Sequence, residues 1–103
     1  MRVLVDLTIV PIGVGVSLSK YVAACERVLM DAGLEIYLHG NGTNVQGEWD
    51  QVFAAIKDCH QVVHEMGAPR IFTTILCGTR IDREESLSDK IRSVEEKLSG
   101  YST

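Results

Sequence analysis

Residues 2–10, RVLVDLTIV, make one apolar, β-branched run with a single carboxylate in its middle, and Pro11-Ile12-Gly13 closes it. Side chains branched at Cβ are stiff at χ1 and fit a pleated surface, so the run predicts a central strand. Successive side chains along a strand point to opposite faces. Val3, Val5, Leu7 and Ile9 therefore share one face, and Leu4, Asp6, Thr8 and Val10 share the other. The wholly apolar set must meet helices, which sends Asp6 and Thr8 to the opposite, open face. A carboxylate in a central strand costs several kcal/mol if desolvated without a partner, so that face must supply one.

The rest of the chain alternates between helical and extended spacing. Ser17 is expected to cap a helix reaching about Ala32, with Leu18, Val22, Cys25, Leu29 and Ala32 on one stripe and Gly33 ending it. Residues 34–39 read as a strand. Gly40-Asn41-Gly42 then turns into a short strand over residues 43–46, Asn-Gly being the strongest short hairpin signal. A second helix is expected over residues 48–66, with Trp49, Phe53, Ile56, His60 and Val63 on its apolar face and Gly67 closing it. Residues 69–77 form the fourth strand. Ser86 and Asp89 have capping-box spacing ahead of a last helix carrying Leu87, Ile91, Val94 and Leu98, with Gly100 ending it and Tyr101–Thr103 as a loose tail. The order β-α-β-β-α-β plus a terminal helix predicts an α+β, ferredoxin-like antiparallel sheet in one domain, residues 1–103. One sheet face is expected to have no helix from its own chain, leaving water, a ligand or another subunit to cover it.

Ten Lys and Arg face 14 Asp and Glu, a formal charge of −4, which argues against nucleic acid and is more compatible with a small cationic ligand. The first apolar run is too short to span a bilayer, contains Asp6 and lacks the flanks of a signal peptide, so neither a membrane nor export is expected. Cys25, Cys59 and Cys77 are odd in number and lack any CxxC spacing. They read as reduced thiols of a cytoplasmic protein, with neither a disulfide framework nor a zinc site.

Alternation gathers Asp6, Thr8, Tyr37, His39, Phe72, Thr74 and Leu76 on the open face. Asp6 either bonds neighbouring hydroxyls, pairs across a subunit interface, or receives a cationic or hydrogen-bond-donating ligand. His39 serves the turn or touches a ligand. Thr43 either pairs in the hairpin or joins the site, and Trp49 either packs in the core or offers an indole to a cation. His60 and His64 share a helical face, but HQVVH lacks the glutamate of HExxH and a third ligand, so core or boundary histidines are expected rather than a metal site. The Gly13-Val14-Gly15 loop lacks the full phosphate-loop signature and reads as a turn. No nucleophile, base and orienter can be assembled from spacing, so no catalytic residue or cofactor is assigned.

The segments DLTIVPIG (Asp6–Gly13), HGNGTNVQGEWDQVF (His39–Phe53) and GTRID (Gly78–Asp82) resemble those of the thiamine-binding protein family over about Val3 to Leu98. The resemblance implies a ferredoxin-like fold and non-enzymatic binding of thiamine or its hydroxymethylpyrimidine moiety. It also implies homodimers through sheet edges and homotetramers through sheet faces. Asp6, Thr8, His39, Thr43, Tyr37 and Trp49 are the expected ligand-binding residues. A structural oligomerisation module without a small-molecule ligand is the alternative, with an enzyme using Asp6 and His39 behind it. Two departures stand out. The family usually has Glu at the position of Gln46 and a basic residue at that of Leu76, so if the two sites interact, an ion pair has become a neutral contact.

Overall fold

The computed structural model describes residues 1–84 and 86–100. The expected tail at Tyr101–Thr103 lies outside them. In chain order the elements are β1 (Arg2–Ile12), α1 (Ser19–Asp31), β2 (Glu35–His39), β3 (Gly42–Glu48), α2 (Trp49–Glu65), β4 (Arg70–Gly78) and α3 (Leu87–Ser99). The strands form one antiparallel sheet in the order β2-β3-β1-β4, the ferredoxin-like arrangement, with β1 between β3 and β4.

Alternation along β1 holds in three dimensions. Val3, Val5 and Leu7 are buried and pack with Val45 of β3, with Tyr21, Cys25 and Leu29 of α1, and with Val52, Ile56, Cys59 and Val63 of α2. β1 runs through Pro11 to Ile12, two residues past its expected end. Pairing with β3 stops at Leu7↔Thr43, so beyond it only β4 flanks β1 among the described strands, and a proline disturbs the ladder little there. Both α1 and α2 are followed by a glycine at positive φ, Gly33 at 76° and Gly67 at 109°, a conformation that stops a helix cleanly.

The helices depart from expectation in two ways. Ser17 does not cap α1: the cap position is Leu18, which makes no side-chain cap bond and instead packs its half-buried side chain against the core. The buried face of α2 is Val52, Ala55, Ile56, Cys59 and Val63, rotated from the expected stripe, so Trp49 is 37% exposed and His60 only half-buried. The wider stripe including Trp49 and His60 followed hydrophobicity, whereas the sheet selects the side that Cys59 and Val52 share.

The open face is not wholly free of its own helices. The capping box of Ser86 and Asp89 forms as expected, and the next backbone N–H, that of Leu87, donates to Gln46 Oε1 at 2.6 Å. Gln46 pairs with Leu4 on the open side, so the first turn of α3 sits against that end of the sheet. Leu87 is the one buried residue of α3, and Val94 and Leu98 are 58% and 60% exposed. The rest of the helix projects, which accounts for a radius of gyration of 15.5 Å against about 13 Å for a compact chain of this length.

Leu29, 1% exposed where α1 meets the sheet, is the side chain whose truncation should hurt most. Leu29→Ala is expected to cost about 2–5 kcal/mol, read as a lower urea midpoint with unchanged slope.

Candidate functional site

The hairpin between β2 and β3 brings chemistry onto the end of the open face. Tyr37, Asn44, Asp6 and Leu76 form one row across the four strands, and beside it His39 pairs with Gly42 while Thr8 pairs with Thr74. His39 Nε2 lies 2.7 Å from Asp6 Oδ1, and its Nδ1 accepts from the backbone N–H of Asn41 at 3.3 Å. That second bond leaves the lone pair on Nδ1, so Nε2 is the nitrogen that carries the proton and donates to Asp6. Thr8 Oγ1 donates to Asn41 O at 2.9 Å, tying the turn to β1. Asp6 thus has a partner within the chain.

Gly42 makes this closure possible. A Cβ there would lie 2.7 Å from Leu7 O, 2.8 Å from Thr8 Oγ1 and 3.3 Å from Asp6 Oδ1. Only a residue without a side chain lets His39 reach across β3 to Asp6.

Thr43 occupies the other face. Paired with Leu7, it is 6% exposed and its hydroxyl donates to Glu26 Oε1 of α1. Glu26 Oε2 is buried with no hydrogen-bond partner among the described residues. These two side chains line a cleft of about 230 Å³ between α1 and the hairpin, walled by Leu18, Tyr21, Val22 and Leu38 and bounded by His39 and Asn41. The space flanking the hairpin therefore opens beneath α1, on the opposite side of the sheet from the expected site. Spacing had not marked Glu26, although it lies four residues after Val22 and three before Leu29, on the flank of the apolar stripe.

Asp6, Thr8 and His39 come together, and Thr43 joins them only through the sheet. Tyr37 is 51% exposed in the same row as Asp6 but two strands away, about 10 Å at ordinary strand spacing. Trp49 stands at the far end, where its backbone N–H donates to Met1 O and its ring packs on Phe53 with centroids 4.7 Å apart. It is thus neither core nor neighbour to Asp6. His60 bonds Thr73 Oγ1 at 2.6 Å and His64 bonds Ala68 O at 2.7 Å, separate partners that hold the two rings 6.4 Å apart. Gln46 and Leu76 lie in different rows with β1 between them, so they make no side-by-side pair within the chain.

A helix-covered antiparallel sheet with a cleft beside its β2–β3 hairpin places the chain among small ferredoxin-like α+β proteins. The model of the thiamine-binding protein family matches residues 5–95, and the chain belongs to that family. A UPF0045 protein of Synechocystis sp. is 55% identical over 95 residues, spanning 92% of this chain and 78% of that protein. A UPF0045 protein of Eremothecium gossypii is 38% identical over 98% of this chain and 97% of its own length. Among solved structures, a hypothetical protein of Methanocaldococcus jannaschii superposes with a TM-score of 0.84 at 27% identity, covering 92% of this chain and 97% of that one. A Thermotoga maritima protein provisionally assigned to thiamine biosynthesis or salvage superposes with a TM-score of 0.71 over 98% of this chain and 99% of its own. At 18% identity that likeness shows the fold alone.

Because a methyl at position 42 would meet the Leu7 carbonyl and Thr8, Gly42→Ala is expected to cost about 1–3 kcal/mol and to part His39 from Asp6. Chemical denaturation measures the first effect, and the His39 ring resonances report the second.

Proposed function

We propose that this protein is a non-enzymatic binder of thiamine or its hydroxymethylpyrimidine moiety, held in the cleft beneath α1 rather than on the open sheet face. The observation that carries the reading is Glu26 Oε2, a buried acceptor with no partner among the described residues. Leaving such a group unmet costs about 1–3 kcal/mol, more for a charged one. An aminopyrimidine carries an exocyclic amine beside a ring nitrogen and can donate to that oxygen, while Thr43 holds the other in place. The cleft's 230 Å³ falls below the roughly 300–1,000 Å³ of sites for drug-sized ligands, room for one ring inside with a second, such as the cationic thiazolium, outside. His39, the partner of Asp6, is among the residues that bound the cleft, with Thr8 and Asn41. Membership of a family named for thiamine binding supports the ligand class.

Self-association belongs to the same reading. β4 closes one side of the sheet, and residues 71–78 carry no charged side chain. An uncharged outer strand is a template for pairing, and a second copy is the simplest partner. On the open face Phe72 and Leu76 are 59% and 72% exposed, an apolar area suited to a further copy and hence to a homotetramer. Free thiols at Cys25, Cys59 and Cys77 suit the cytoplasm. Light scattering at micromolar concentration should return an oligomer, and a monomer overturns this part.

Calorimetry of hydroxymethylpyrimidine and thiamine tests the ligand. Glu26→Gln should weaken binding about 10- to 150-fold, the loss of a charge-assisted contact, without lowering thermal stability. Affinity lost in Asp6→Asn but kept in Glu26→Gln would return the ligand to the open face. No binding by the unmodified protein would favour a purely structural oligomerisation module.

A further inference from the structure

Two thiols of the core have no part in the ligand reading. Cys25 of α1 and Cys59 of α2 are free, buried, and set where the two helices pack together. The Cys59 thiol lies 3.7 Å from the Cys25 carbonyl oxygen, and the two side chains are hydrogen-bonded to each other. One sulfur therefore already rests against the other.

The two are not equivalent. Cys25 is 7% exposed and lines the cleft beneath α1, whereas Cys59 is sealed at 0%. A small oxidant that enters the cleft meets Cys25 first. The hydrogen bond from Cys59 also holds the Cys25 thiol below the ordinary thiol range, against burial and the neighbouring Glu26, which act the other way. The same bond, with burial, pushes the Cys59 thiol well above that range. A thiolate is the nucleophile, and a thiol buried in apolar surroundings is ordinarily inert. Here the member of the pair that a small molecule can reach is also the one that ionises more readily.

We propose that Cys25 and Cys59 are a peroxide-responsive dithiol, Cys25 attacking and Cys59 resolving, which closes to a disulfide between α1 and α2. In the first step the Cys25 sulfur attacks one peroxide oxygen and the O–O bond breaks. The hydroxide released takes up the thiol's proton and leaves as water, and Cys25 becomes a sulfenic acid. The Cys59 sulfur then attacks that of Cys25, and the S–S bond forms as the S–O bond breaks. The departing hydroxide carries off the Cys59 proton as a second water. Two thiols lose two electrons in all, and one peroxide gains them. The bridge fixes α1, one wall of the cleft, to α2.

Hydrogen peroxide is the probe, added in molar excess to the folded full chain without denaturant. Remaining thiols are then alkylated, and the products read by intact mass and peptide mapping. Cys77→Ser removes the exposed thiol of β4 and is the background for every measurement. That chain is expected to lose two hydrogens in mass, with the Cys25 and Cys59 peptides linked, and to recover both thiols in dithiothreitol. With Cys59→Ala added, Cys25 should stop at the sulfenic acid and be captured as a dimedone adduct. With Cys25→Ala added, Cys59 should stay a thiol. Circular dichroism shows whether each core variant is folded, and the Cys77→Ser chain alone carries the test where one is not. Survival of both core thiols in that chain, a bridge that forms only in denaturant, or oxidation of Cys59 in folded Cys25→Ala overturns the proposal.

Discussion

The register of β1 against its two neighbours is the constraint on which the rest of the structure depends. Leu7 opposes Thr43 on one side and Ile75 on the other, while Asp6 opposes Asn44 and Leu76. A slip of one residue would turn Val3, Val5 and Leu7 to the open side and drive Asp6 into the apolar layer beneath α1 and α2. Both errors cost free energy at once, one by exposing fully buried side chains and the other by burying a charge. That double penalty fixes where the β2–β3 hairpin lands, and the hairpin's position sets His39 against Asp6 and Thr43 against Glu26.

The hairpin makes different chemistry on its two sides. On the open side His39 and Asp6 satisfy each other across Gly42, and Asn41 orients the ring from behind. Beneath α1, Thr43 engages only one oxygen of Glu26. A satisfied pair has its main hydrogen-bonding direction occupied, whereas a buried acceptor with no partner gains by meeting a donor. Thr43 and His39, consecutive in neither sequence nor face, thereby border the same cleft from opposite sides of the strand layer.

Much of the architecture was legible because it follows from short-range physics. Period-two alternation, the Asn-Gly turn, the glycines after each long helix and the Ser86–Asp89 capping box all act within a few residues and all appear where expected. The misses have a common origin. Ser17 satisfied the local rule for a cap, but the packing of Leu18 decided where α1 begins. Trp49 fitted a helical stripe, but the sheet meets α2 on the side of Val52 and Cys59. Thr43 stood among the candidates for a site around Asp6, although pairing with Leu7 turns it to the helices.

The amino-acid pattern by itself determined the element types and their order, the antiparallel α+β layering, and the face on which Asp6 and Thr8 stand, because each depends on side-chain periodicity and turn chemistry along the chain. Tertiary structure alone decided which polar groups meet. Glu26 and Thr43 are 17 residues apart, Asp6 and His39 are 33, and Gln46 and the Leu87 backbone are 41. No local spacing encodes such meetings. They arise when the sheet register and helix docking are set together, and they decide whether a buried acceptor is matched, left open, or used to hold a helix in place.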